Sequence, residues 1–251
     1  MIIDVHGHWG PWFFTMEVGS AAGDVDVNLA VMDRYGIDLA IVSATEAVCY
    51  DAAAGNRALA AALSASSLST SDRLYGYVTV NPRQLDAASR DLARYFGDGR
   101  FVGAKLHTDY TESPITSPQT QDALTMLAEL DCPVLVHTWG RTVLDLAQSC
   151  VDRPRLRAIA GHMGADGYQY AIEAAQSCDR LYLEPSWSQA PAGRIATVLA
   201  TVDDRQLLFG TDSTLIDPAS ALGAVLASGG LTGLTAERLA WWNAASLFGL
   251  A

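Results

Sequence analysis

Apolar residues fall along this chain in short runs, separated by longer stretches with helical spacing. Eight runs read as strands: Ile2–His6, Asp38–Ser43, Leu74–Val80, Val102–His107, Pro133–His137, Arg157–Gly161, Leu181–Pro185 and Leu207–Thr211. Most are continuously apolar rather than alternating, the pattern of parallel strands buried on both faces. Between them the period changes. Leu85, Ala88, Leu92 and Phe96 recur at helical intervals, as do Ile195, Val198, Leu199 and Val202. Ser117 and Pro118 suit the N-cap and first turn of a helix carrying Ala123, Leu127 and Leu130. Thr235 opens a last helix through Trp241 to Leu247. Strand and helix alternating in this way predict an α/β fold, a single-domain (β/α)8 TIM barrel over residues 1–251. A doubly wound open sheet is the alternative. It would spread apart the distinctive residues that follow the first, fourth, fifth, sixth and eighth runs.

Those residues carry the chemistry. All 5 histidines sit at or just past the end of an apolar run. His6 and His8 close MIIDVHGH, His107 closes FVGAKLH, His137 closes CPVLVH and His162 follows LRAIAG, while Asp212 closes QLLFGTD. Strand ends converge at one face of a barrel, so these side chains can meet around one ion. Residues two apart in a strand point to the same side, which lets His6 and His8 reach it together. His6, His8, His137 and Asp212 are the candidate metal ligands. Nitrogen and carboxylate donors suit one divalent ion, zinc first, with manganese, iron or cobalt as alternatives. His162 lies between Gly161 and Gly164 and reads as a ligand or a general acid/base. One ion already has enough ligands, which favours acid/base.

Size and charge narrow the classes. At 251 residues the chain fits one barrel domain of ~250 residues. A net charge of -12 argues against nucleic acid or an anionic membrane as partner. The 4 cysteines show no close pairing and read as buried thiols. No apolar run reaches membrane-spanning length, and a strand at the first residues leaves no room for a signal peptide; a cytoplasmic protein is the expectation. Trp241 and Trp242 adjoin on one helix and cannot both face the same core, so one is expected at the barrel floor or a homo-oligomer interface.

The stretches IIDVHGH, DRLYGYVTVNP, VGAKLH, PVLVH, AGHMG, LLFGTD and NAASLFGL resemble the amidohydrolase superfamily, specifically its amidohydrolase-related branch. That branch includes aminocarboxymuconate-semialdehyde decarboxylase and several ester and lactone hydrolases. The resemblance implies the barrel fold, metal ligation by His6, His8, His137 and Asp212, and His162 as catalytic acid/base with Asp212. It also raises Lys105, on the fourth run, where some members carry a carboxylated lysine bridging two metals. Against that stand the closer likeness to single-metal members and the place of Lys105 two residues deeper than His107; an amine buried against inner carboxylates such as Asp4 or Glu184 is the other reading.

Substrate contacts are expected from the loops after the strands. Trp9, Trp12, Phe13 and Phe14 crowd the first loop and Trp187 follows the seventh strand; an aromatic wall for a flat substrate competes with simple packing. His107 and, more weakly, Tyr110 are further candidates. Arg141 could pair a substrate carboxylate. The leading expectation is a metal-dependent hydrolase attacking an amide, ester or lactone of a small molecule through metal-activated water. Non-oxidative decarboxylation of a small unsaturated or aromatic acid is the alternative, and a non-catalytic barrel the third. A related metal-dependent nuclease is disfavoured by Lys105 and by the acidity of the chain.

Overall fold

Seven of the expected runs form parallel strands: β1 (Ile3–Trp9), β2 (Leu39–Ala44), β3 (Leu74–Thr79), β4 (Phe101–Leu106), β5 (Val134–His137), β6 (Ala158–Gly161) and β7 (Leu181–Leu183). They make a 7-stranded sheet in the order of the chain, each strand paired in parallel with the next. The computed structural model describes residues 1–12, 25–65, 72–228 and 232–250, so Phe13 and Phe14 lie outside the described residues.

The helices between strands form for the reasons the spacing gives. In the helix Pro118–Glu129, Ser117 Oγ accepts the Thr120 N–H at 3.3 Å and proline occupies the first turn. Its Ala123, Leu124 and Leu127 are buried. The helix Leu85–Tyr95 likewise buries Ala88, Leu92 and Tyr95. These faces and the outward residues of the strands form the larger apolar core. A second cluster contains Ile3, Val5, Ile41, Tyr77, Leu135, Ile159 and Leu208. Two positions further along their strands, Ser43 and His137 follow Ile41 and Leu135 on the same side, which stacks the polar site on this apolar layer.

The eighth run departs from expectation. Leu207–Thr211 forms no strand; single bridges join Leu207 to Leu183 and Ser213 to Gly7. The sheet is curled so that β1 and β7 both reach this segment, with Val5 N donating to Phe209 O and Leu208 N to Leu183 O, each at 3.0 Å. At its C-terminal end, side chains take two further backbone donors. Asp4 Oδ1 accepts the Thr211 N–H at 3.1 Å, and Thr211 Oγ1 accepts the Ser213 N–H at 3.1 Å.

The C-terminal helix is also broken differently. Gly233–Glu237 and Asn243–Phe248 are separated by a wider π-type turn over Arg238–Trp242. There Trp241 packs against the second apolar cluster while Trp242 is 45 % exposed. All four cysteines are free; Cys132, Cys150 and Cys178 are buried, whereas Cys49, expected to be buried, is only half-buried. Among the described residues, no helix is long and apolar enough to cross a membrane.

Candidate metal centre

His6 and His8 are fixed from behind. His6 Nδ1 donates to Glu184 Oε2 at 2.6 Å, and Ser43 Oγ lies 3.2 Å from His8 Nδ1. With each Nδ1 engaged, both Nε2 atoms turn toward Asp212: His8 Nε2 is 2.9 Å and His6 Nε2 3.5 Å from Asp212 Oδ1. All three residues are buried. His6, His8 and Asp212 therefore bring ligand atoms within 4.8 Å of one another, and His6, His162 and Glu184 form a second such set.

Glu184 is the hub beneath the centre. Besides His6 it accepts the His162 N–H at 3.2 Å, the Ser186 Oγ–H at 2.9 Å and the Ser186 N–H. Gly210 leaves room for it, since a Cβ there would lie 2.5 Å from Glu184 Oε1. A carboxylate behind a histidine fixes the ring and raises its basicity toward a metal.

His162 and Asp212 both have left-handed backbone, at φ 63° and 59°, a conformation that side chains other than glycine adopt only where surroundings impose it. His162 Nδ1 faces the Ser186 carbonyl oxygen at 2.9 Å. A carbonyl only accepts, so Nδ1 carries a proton and donates to it. Its Nε2 lies 3.1 Å from His137 Nδ1. His137, the remaining expected ligand, belongs to neither ligand set; its Nε2 is 3.4 Å from Asp109 Oδ2. The His107 ring stacks on His137 at 4.1 Å and on Tyr110 at 4.2 Å.

Burial holds His6, His8 and His137 neutral, the form that ligates metals. It pushes His6 well below the usual histidine range, with the Lys105 charge adding to the effect, and lowers His8. His137 is pushed down to about 3 by burial and by His162. Burial alone would raise Asp212, but His6 and His8 overcome it and keep the carboxylate ionised. Lys105 Nζ sits 2.8 Å from His6 Nε2, and burial lowers the amine to about 8 against the pull of Asp212 and Glu184. A cation thus already stands against these donors. Neutral nitrogens, an ionised carboxylate and carboxylate support behind one histidine are the donor chemistry of a divalent metal site, and the residues fit one.

These groups floor a cavity of about 330 Å³. Its walls include Trp12, His107, Tyr110, Trp139 and Trp187, with Ser188 and Gln189 also lining it. Trp187 and Trp139 meet edge to face at 5.8 Å. Two expected contacts are elsewhere. Trp9 packs against the outer core and Trp12 takes the wall position; Arg141 lies over the Tyr170 ring at 4.7 Å, drawn by the aromatic face rather than the cavity. Trp139, two residues beyond His137, is a wall residue that the sequence pattern does not mark, and Glu184 enters that pattern only as a counter-charge for Lys105. The signal for Glu184 was a lone carboxylate ending the apolar run LYL.

Residues 3–250 match the Amidohydrolase family, and the chain belongs to it. No curated protein matches the chain by sequence. Among solved structures, a putative amidohydrolase from Staphylococcus aureus is 17 % identical with a TM-score of 0.79, over 99 % of both chains. The 2,6-dihydroxybenzoate decarboxylase from Rhizobium is 18 % identical with a TM-score of 0.76, over 99 % of this chain and 98 % of that one. A probable 2-pyrone-4,6-dicarboxylic acid hydrolase from Acinetobacter baumannii, with citric acid bound, is 15 % identical with a TM-score of 0.68, over 99 % of both chains. At these identities the likeness is one of fold, and it spans decarboxylase and hydrolase alike.

Proposed function

We propose that the protein is a metal-dependent hydrolase of an ester, lactone or amide bond in a flat, unsaturated small molecule. The observation that carries the reading is the convergence of His6 Nε2, His8 Nε2 and Asp212 Oδ1 on the floor of a solvent-open, aromatic-walled cavity. His6, His8 and Asp212 are the proposed ligands of one divalent ion, zinc first, with His137 as a fourth donor from the same cavity wall. When bound, such an ion polarises a substrate oxygen and lowers the pKa of coordinated water to about 7.

The chain's own groups do the rest. On parting from His137, Nε2 of His162 takes a proton and returns it to the leaving group, while Nδ1 stays on the Ser186 carbonyl. Asp212, ionised and shared between two histidines, is a second proton acceptor on the same floor. Trp12, Trp139, Trp187 and Tyr110 hold a planar ring, and the mouth, where Trp139 is 42 % and Tyr110 45 % exposed, admits water as co-substrate. Lys105 remains a free amine that offsets Asp212 and Glu184, so one ion rather than two is proposed.

The aromatic walls favour a second reading, decarboxylation of an aromatic acid, in which His162 protonates the ring carbon and carbon dioxide leaves. A single experiment separates the two. Zinc- and manganese-loaded protein is offered dihydrocoumarin and phenyl acetate, followed by acid release, and 2,6-dihydroxybenzoate, followed by carbon dioxide release. Hydrolysis without carbon dioxide supports the first reading and carbon dioxide release the second. Turnover of none of them by metal-loaded protein counts against both.

A further inference from the structure

Arg194 opens the helix Arg194–Leu199 and is 3 % exposed, an uncommon place for a guanidinium. Its hydrogen bonds run to main-chain oxygens. Nη1 donates to His162 O at 3.4 Å and to Ala165 O at 3.3 Å, and Nη2 donates to Pro185 O. Its Cζ lies 5.5 Å from the centre of the Trp187 ring.

These contacts fall on two functional pieces. The run His162, Met163, Gly164 and Ala165 has φ of 63°, 52°, 68° and 49°, a left-handed stretch that three residues with side chains would not hold unaided. One nitrogen of Arg194 holds the carbonyls at both ends of that run. The other holds Pro185 O, one residue before the Ser186 carbonyl that faces His162 Nδ1. Trp187, the next residue, is a wall of the cavity. The guanidinium fork therefore braces the backbone of His162, the segment that orients its ring, and the face that meets substrate.

We propose that Arg194 is a positioning residue that sets the His162 ring and the Trp187 wall in one register, so that one side chain governs both proton transfer and substrate fit. The proposal rests on His162 being the acid/base of the reading above, but the positioning itself is measurable without turnover. Planar, forked donors do this and a single ammonium does not. A lysine keeps a cation near Trp187 and loses the clamp on the carbonyls.

The test uses the zinc-loaded 251-residue chain with ¹⁵N-labelled histidine; it has only 5 histidines, and His162 is assigned by its absence in H162N. In the wild type His162 shows the Nδ1–H tautomer. In R194M it shows a mixture of tautomers, Trp187 emission changes, kcat falls about 10–100-fold on the probe the wild type turns over, and KM rises. R194K restores KM and Trp187 emission without restoring kcat or the tautomer. A wild-type His162 tautomer in folded R194M overturns the proposal whatever the activity. If R194M does not fold, R194K carries the test, and a wild-type tautomer and kcat there overturn it. Full activity in H162N together with a loosened tautomer in R194M defeats the acid/base reading and leaves the positioning supported.

Discussion

Replacing Glu184 by glutamine tests whether the carboxylate behind His6 prepares that ring for a metal. Glu184 is fully buried and accepts from His6 Nδ1 at 2.6 Å, His162 N at 3.2 Å, Ser186 Oγ at 2.9 Å and Ser186 N. Glutamine keeps the shape but offers one acceptor oxygen in place of two and removes the charge. At least one buried donor then loses its acceptor, at ~1–3 kcal/mol of stability. His6 also loses the anion that fixes Nδ1–H and makes Nε2 basic. Removing such support typically weakens metal binding 10–100-fold, or about 1.4–2.7 kcal/mol. Zinc affinity measured in competition with a chromogenic chelator, for wild type and E184Q at one pH, reads this directly. A folded E184Q that binds zinc within twofold of the wild type would refute the reasoning, because His6 would not need its carboxylate.

Other consequences concern neighbouring residues. H162N should lower kcat by about 10²–10⁴-fold with metal content unchanged, whereas loss of the metal in that variant would make His162 a ligand. Burial raises Asp4 to about 7, opposed by the Thr211 hydroxyl and the His6 N–H. The folded chain then holds a proton that the unfolded chain releases above its ordinary value of 3.8, so this stabilisation is full below pH ~4 and lost as pH rises to ~7. Urea unfolding of chelator-treated wild type and D4N should show the wild type losing up to ~4 kcal/mol relative to D4N across that window; parallel pH curves would contradict it. Leu124→Ala, at a fully buried site on the helix Pro118–Glu129, should cost ~2–5 kcal/mol in the same assay.

Much of this architecture is legible in the sequence because burial on both faces forces strands such as PVLVH and LRAIAG to be continuously apolar, and because Ser117–Pro118 states its own cap. The histidine-terminated runs also located His6, His8, His107, His137 and His162 at one cavity. What stayed hidden depends on contacts distant in sequence. Leu207–Thr211 has the composition of a strand, yet Asp4, 207 residues away in sequence, takes the Thr211 N–H that a ladder would use. Arg141 has the right place for a carboxylate clamp, but Tyr170 offers it an aromatic face. Nothing local to Arg194 announces that its fork ends on the carbonyls of another loop.

The most direct test of the account is the metal content of the chain. Elemental mass spectrometry on protein purified without chelator or added metal, for wild type and H8A, is predicted to give one divalent ion per wild-type chain and a large loss in H8A. A wild-type chain that stays empty after incubation with zinc, manganese, iron and cobalt would contradict it.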